Sequence, residues 1–269
     1  MARTTVPLTA LALAALLLAA APAHAGRSCE ARKPTPQLIE RGMQLAQQTA
    51  AALDAEHARS GTRVVVLGRA GQDLGKYGLR YSHLGWAYRT AEGPWRVAHK
   101  LNDCGSDRGY LYRQGLGEFF LDDLWRYEAV WAVPTSEVQQ RLLALLQDGV
   151  RTTLLQHAPY SMVSYAWGQR YQQSNQWALE TLAMAMEPDT VRTRVQAQAW
   201  LRFKGYAPTV LRIGPLTRLG ARVSAANVAF DDHPNEKRFA DRIETVTVDS
   251  ALAWLQAARL AAAPERLVP

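Results

Sequence analysis

Apolar runs of strand length fill the middle of the chain, and turn-forming residues separate them. The run 63–67 is rich in β-branched residues and lies between Gly61 and Gly68, which is typical of a strand. Gly93-Pro94, between two later runs, indicates a hairpin turn. We therefore predict four strands, at residues 63–67, 79–89, 95–101 and 127–133.

Helical patterns stand on both sides of these strands. Thr35-Pro36 is typical of a helix start, because threonine caps well and proline is favoured at the first helical position. Apolar residues also recur with helical spacing after Ser174, and Asp249 is predicted to cap a last helix. Helices before and after a group of strands indicate the α+β class, with helices packed on an antiparallel sheet. We predict one such domain at 26–260, followed by a flexible tail at 261–269.

The first 25 residues have the pattern of a signal peptide. A basic start at Arg3 is followed by an apolar run at 8–21 and by small residues before a cleavage site after Ala25. We expect the mature chain to be periplasmic or secreted. It contains no other apolar run long enough to cross a membrane.

The charge of the chain is moderate and evenly spread. Removing the signal peptide takes away only Arg3, so 31 Lys and Arg become 30 against 24 Asp and Glu, a formal charge of +6. Such a charge favours anionic cell-surface material through long-range attraction. We expect no nucleic-acid partner, because a nucleic-acid-binding protein concentrates its basic residues on one face.

The chain contains two cysteines, Cys29 and Cys104. In an exported protein an even pair favours one disulfide. It would join the start of the mature chain to the loop after a central strand and stabilise the fold by roughly 2–4 kcal/mol. The alternative, a Cys104 thiol that acts as a nucleophile, is disfavoured because Cys29 in the same compartment would consume it.

Three residues could form a nucleophilic catalytic site. His83 lies on a predicted strand, and the hairpin could bring it near His99 on the next strand. Ser174 opens a predicted helix, where the helix dipole and free backbone N–H groups could stabilise an oxyanion. In this hypothesis Ser174 is the nucleophile, His83 is the base and His99 orients the base. The alternative is that Ser174 only caps its helix, since serine is among the best N-cap residues.

Signals for a metal or a cofactor are weak. Asp231-Asp232-His233 with Glu236 offers oxygen and nitrogen ligands at close spacing, but a solvated turn is the favoured interpretation. The sequence has no Gly-rich phosphate loop, no Walker lysine and no zinc-spaced Cys/His cluster. We expect neither a metal nor an organic cofactor.

Five segments spread along the chain carry a family resemblance. They are Tyr81-Ser82-His83-Leu84-Gly85, Asn102-Asp103-Cys104-Gly105, Gly115-Leu116-Gly117-Glu118-Phe119-Phe120, Ser174-Asn175-Gln176-Trp177 with Glu180, and Ala226-Asn227-Val228-Ala229-Phe230-Asp231-Asp232-His233. Together they resemble the DUF2145 family of exported bacterial proteins over nearly the whole mature chain. This resemblance brings no established activity with it.

The order of the elements is also similar, more distantly, to the circularly permuted NlpC/P60 branch of the papain-like fold. Members of that branch often carry histidine in a Ser-His-x-Gly strand, as at Ser82-His83-Leu84-Gly85, and have a cysteine that opens a later helix. The resemblance implies that His83 is the base, that His99 is the orienting residue and that Ser174 takes the cysteine's position. A serine there is the main departure, because its hydroxyl is a far poorer nucleophile than a thiolate.

Three functions follow as hypotheses. The first is a hydrolase or acyltransferase of papain-like fold that acts on a peptide, amide or acyl substrate through Ser174, His83 and His99. The second is a non-catalytic envelope protein of the same fold that binds a peptide, glycan or lipid. The third is a structural or assembly partner, which would present an exposed apolar patch.

Overall fold

The computed structural model describes residues 34–122 and 124–269 of the chain. The predicted signal peptide at 1–25 and Cys29 lie outside the described residues. The cleavage site and the Cys29–Cys104 disulfide therefore stay predictions. Within the described residues, no helix has both the length and the apolar character that a membrane span requires.

Nine helices and eight strands make up the described part of the chain. The helices are α1 (Pro36–Ser60), α2 (Leu116–Phe120), α3 (Ser136–Gln147), α4 (Gly149–Thr153), α5 (Ser174–Met186), α6 (Arg194–Phe203), α7 (Pro215–Ser224), α8 (Asn235–Arg238) and α9 (Val248–Ala257). The strands are β1 (Val64–Ala70), β2 (His83–Arg89), β3 (Trp95–Asn102), β4 (Gly109–Gly115), β5 (Arg126–Ala132), β6 (Thr209–Arg212), β7 (Arg242–Thr245) and β8 (Glu265–Leu267).

The main sheet has six antiparallel strands in the order β4-β3-β2-β1-β5-β8. The predicted α+β class with an antiparallel sheet is therefore confirmed, and the four predicted strands correspond to β1, β2, β3 and β5. β2 starts later than predicted, at His83. The backbone N–H groups of Arg80 and Tyr81 face the Asp249 carboxylate instead of a neighbouring strand.

Helices cover both faces of this sheet. On one face, α3, α5, α6 and α9 pack against Leu84 and Trp86 of β2. On the other face, α1 and α2 pack against Ala87 of β2 and Val97 of β3. We call these the α5 face and the α1 face. Burial on both faces explains why the central strands are almost continuously apolar in sequence.

The sequence analysis predicted a flexible tail at 261–269, but part of this tail is bonded to the main sheet. β8 pairs with β5, with Leu267 opposite Ala129, and the N–H of Ala262 donates to the carbonyl of Val133. The outer edge of β5 carries backbone groups that need partners. The tail supplies them despite its plain composition.

A small second sheet lies outside the main layers. β6 and β7 pair in antiparallel fashion, and α7 packs with them through Ala221, in a third apolar cluster that includes Leu211 and Ile243.

Candidate functional site

Neighbouring strands bring His83 and His99 into contact. Atom Nε2 of His83 lies 2.8 Å from Nδ1 of His99, and Nε2 of His99 lies 2.9 Å from Oε1 of Gln114. Gly85 permits this approach, because a Cβ atom at that position would lie 2.8 Å from the Cβ of His99. The three side chains form a continuous hydrogen-bonded row.

Gln114 determines which nitrogen of each ring carries a proton. Oε1 of Gln114 can only accept, so Nε2 of His99 must donate to it. Nδ1 of neutral His99 then accepts the proton of His83 Nε2. This leaves Nδ1 of His83 as the unprotonated nitrogen of the row.

Both imidazoles are held in the neutral form. Burial lowers the pKa of His83 well below its usual value, and the nearby Arg69 guanidinium and His99 lower it further. Burial and Arg69 likewise lower the pKa of His99 to about 3. Arg69 itself donates to the carbonyl of Phe119 and pairs with Asp122. The row is therefore a neutral acceptor beside a fixed cation.

Ser174 is the first residue of α5 but does not cap it. Gln173 is the N-cap, and its side chain accepts from the N–H of Asn175 at 2.8 Å. The Oγ atom of Ser174 is buried and lies 3.4 Å from the hydroxyl of Tyr160. The capping alternative for Ser174 is therefore wrong, because the residue before it supplies the cap.

Ser174 and His83 lie on opposite sides of the sheet. Trp86 of β2 points to the α5 face, where its Nε1–H donates to the carbonyl of Ala178 at 3.0 Å. His83, three residues earlier on the strand, points the other way, since strand side chains alternate. Its ring lies against Phe119 on the α1 face, with centroids 5.9 Å apart. The predicted site of His83, His99 and Ser174 is not assembled, because the apolar side of α5 packs on Leu84 and Trp86.

Comparison with known proteins identifies the family. The family model DUF2145, described as an uncharacterized protein conserved in bacteria, matches residues 56–255. The chain belongs to this family. No curated protein and no solved structure matches it. For this DUF2145 protein, the chemistry of the site can therefore be inferred only from the geometry of its own side chains.

A buried polar network that the sequence analysis missed lies on the α5 face. Glu180 accepts from Arg194 at 2.9 Å, from Gln198 at 2.8 Å and from Gln172 at 2.6 Å. Arg194 also donates to the carbonyls of residues 168, 169 and 171. The network therefore holds residues 168–171, which precede α5, in position. A carboxylate at position 180, within an otherwise apolar helix, was the available sequence signal.

Lys100 extends the same network. Its Nζ atom donates to Oε1 of Gln172 at 2.8 Å and to the carbonyl of His157 at 2.5 Å. Burial, and secondarily Arg194, lower the pKa of Lys100 to about 7. Its hydrogen-bond partners among the described residues are therefore Gln172 and His157 and do not include Ser174.

The acidic turn at Asp231-Asp232-His233 has structural partners. Asp232 accepts from the N–H of Tyr165 at 2.7 Å, and Asp231 pairs with Arg170 at 3.0 Å. Among the described residues, no group of three or more His, Cys, Asp or Glu side chains is placed to hold a metal ion.

An open cavity of about 420 Å³ lies between residues 76–77, strand β6 and the first turn of α7. Two of its lining side chains, Lys76 and Arg212, are cationic, and the lining residues include no carboxylate. The lining consists of Lys76, Tyr77, Val210, Leu211, Arg212 and Thr217. We call it the basic cavity.

Proposed function

We propose that this DUF2145 protein is a non-catalytic binding protein of the bacterial cell envelope. The observation that carries the proposal is the separation of Ser174 from His83 by the sheet. Ser174 lies on the α5 face, and His83 lies on the α1 face. A hydroxyl nucleophile needs a base within hydrogen-bond reach, and His83 cannot serve from the opposite face.

Among the described residues, no hydrogen bond joins the Ser174 hydroxyl to a histidine, lysine or carboxylate. Tyr160 is its hydrogen-bond partner, and burial raises the pKa of Tyr160, so the phenol stays neutral near neutral pH. Lys100 is engaged with Gln172 and with the carbonyl of His157 rather than with Ser174. The contact that Ser174 makes with Tyr160 therefore supports a structural role for this serine.

We propose that the similarity to the papain-like fold is limited to the order of the elements. The chain keeps the order of a histidine strand, a second polar strand and a later helix. The helix, however, packs on the face that His83 does not occupy. We propose that any shared ancestry extends to the order of elements and not to the catalytic site.

The basic cavity is the proposed ligand site. Lys76 and Arg212 place two positive charges in one concave surface, and no described carboxylate forms an ion pair with either of them. Such a surface favours an anionic ligand. An envelope location, which rests on the signal-like sequence at 1–25, would supply anionic lipids and glycans as ligands.

Labelling with a serine-reactive fluorophosphonate tests the non-catalytic assignment. We expect no labelling of folded protein, because Ser174 is buried and lacks a base. Labelling that disappears in both Ser174→Ala and His83→Ala would overturn the proposal and restore the hydrolase. A Ser224→Ala variant, at an exposed serine, is the control for nonspecific labelling.

A further inference from the structure

Strand β4 forms one outer edge of the main sheet. Among the described strands it pairs with β3 alone. In an antiparallel pair, every second residue turns its N–H and C=O groups away from the partner strand. The N–H of Asp103 donates to the carbonyl of Arg108 at 2.7 Å, and the next pair in the ladder joins Asn102 to Gly109. The backbone groups of residues 109, 111, 113 and 115 therefore face outwards.

This outer edge is closed at both ends and open in the middle. The N–H of Gly109 donates to the carbonyl of Ala158 at 2.8 Å, and the N–H of Gly115 donates to Glu118 at 3.0 Å. Within the described part of the chain, the outward backbone groups of residues 111 and 113 have no hydrogen-bond partner. Unpaired backbone groups normally face water, because their burial is costly. Two N–H and two C=O groups are thus available to an added strand.

Exposed aromatic side chains line the α1 face of this edge. Tyr112 lies opposite His99 in the ladder, and the ring of His99 packs against Phe119 on the α1 face, with centroids 5.2 Å apart. Opposite residues of paired strands turn their side chains to the same face, so Tyr112 and, two positions away, Tyr110 also face that way. Tyr112 is 40% and Tyr110 42% exposed. Both rings offer apolar contacts to the side chains of an added strand.

Cationic side chains line the α5 face of the same edge. Arg113 lies opposite Ala98, which belongs to the apolar cluster of that face, and Arg96 precedes Ala98 by two positions. Both arginines are exposed. Arg113 donates to the carbonyl of Leu146 and to the hydroxyl of Thr152, which are neutral, and no described carboxylate forms an ion pair with either arginine. Their uncompensated charges favour a partner with carboxylates.

We propose that the open stretch of β4 binds an extended acidic peptide of a partner protein as an added strand. The backbone of the peptide pairs with Leu111 and Arg113, and its side chains alternate between the two faces. Acidic residues then lie beside Arg113 and Arg96, and apolar residues lie beside Tyr110 and Tyr112. A second copy of the chain is a poorer partner, because pairing β4 with itself would place two Arg113 side chains on one face. The surface shares no lining residue with the basic cavity, so it goes beyond the proposed function.

Fluorescence anisotropy with labelled peptides tests the added strand. The probe is a seven-residue peptide of alternating glutamate and valine, added to the chain without its predicted signal peptide. We expect saturable binding that weakens at high salt. A peptide with lysine in place of glutamate should bind about tenfold more weakly. N-methylation of the glutamate amides removes the donors that face β4 in an antiparallel pairing, and N-methylation of the valine amides removes them in a parallel one. One of these two methylated peptides should therefore fail to bind.

Variants of the protein locate the binding edge. Arg96→Glu reverses a charge on the α5 face of β4 and should weaken binding of the glutamate peptide about tenfold. Arg266→Glu is the matched control, because Arg266 is exposed on β8 at the opposite end of the same sheet, and it should bind as the unchanged protein does. Arg113→Pro removes an outward N–H and a cation and should abolish binding, while a proline at this position of an edge strand leaves the pairing with β3 intact.

The possible outcomes separate this inference from the proposed function. Binding of both methylated peptides, or unchanged binding by Arg96→Glu, overturns the docking surface. Absence of peptide binding also overturns it, whereas binding of soluble sn-glycerol 3-phosphate to the basic cavity would then still support the binding function. A concentration-dependent dimer that Arg113→Pro abolishes, without peptide binding, would show that a second copy of the chain occupies the edge instead.

Discussion

Asn175 accepts a hydrogen bond from the N–H of Leu84 at 3.0 Å, so the neighbour of Ser174 touches the neighbour of His83. The two side chains expected to react nevertheless lie on opposite sides of β2. One position along a strand reverses the direction of a side chain. The start of α5 is thus docked at the expected place along β2 but on the wrong face for catalysis.

Asn175 should matter more for stability than Ser174. Asn175→Ala leaves the buried N–H of Leu84 without its partner, which costs about 1–3 kcal/mol. Ser174→Ala removes a long contact of 3.4 Å with Tyr160 and should cost less than about 1 kcal/mol. Urea unfolding of the two variants decides this. A larger loss for Ser174→Ala would give Ser174 a role that the structure does not explain.

Glu180 should be essential for the fold. Glu180→Gln leaves Arg194 as a buried charge without its counter-charge, and such a change costs about 3–5 kcal/mol. Glu137→Gln is the matched control, because Glu137 forms an exposed pair with Arg141 whose loss should change stability by less than about 1 kcal/mol. The free energy of unfolding of both variants is the measurement. Equal effects would contradict the structural role of the Glu180 network.

The histidine row predicts a loss of stability in acid. The unfolded chain protonates its histidines near the ordinary pKa of 6.5, whereas burial lowers the pKa of His99 in the folded chain to about 3. As pH falls below 6.5, the unfolded state binds the extra proton first, so the free energy of unfolding decreases. The stabilising contribution of the neutral histidine row is fully present above that pH. His99→Gln should be less stable overall but should show a shallower decline between about pH 6.5 and 4. An unchanged slope would mean that other groups cause the acid sensitivity.

The basic cavity should bind a soluble phosphate ester through its two cations. Lys76→Ala and Arg212→Ala should each weaken binding of sn-glycerol 3-phosphate roughly fivefold, which corresponds to about 1 kcal/mol. Arg192→Ala removes an exposed arginine elsewhere and should leave binding unchanged. Isothermal titration calorimetry measures all three. If Arg192→Ala weakens binding as much, the ligand responds to overall charge and not to the cavity.

Sequence reasoning predicted the centre of the sheet because burial on both faces leaves continuous apolar runs, as at Val64–Ala70. It missed β4, an outer strand whose Tyr110, Arg113 and Gln114 have no apolar alternation. It also missed β8, whose pairing depends on the free edge of β5.

The candidate site could be predicted only in part, for a related reason. Hairpin geometry is local, so it correctly suggested that His83 and His99 could meet. The face on which α5 packs depends on a long-range contact, that of Trp86 with Ala178. Chain order and family resemblance contain no information on that choice.

The reactivity of a Ser174→Cys thiol tests the central claim most directly. A cysteine at a papain-like position is a thiolate activated by its histidine and alkylates rapidly even at about pH 6. Mass mapping of the peptide around position 174 distinguishes it from Cys29 and Cys104. We predict that iodoacetamide modifies this thiol only after the protein unfolds. Rapid alkylation of the folded protein that is lost in Ser174→Cys/His83→Ala would contradict the account, because it would place His83 beside position 174.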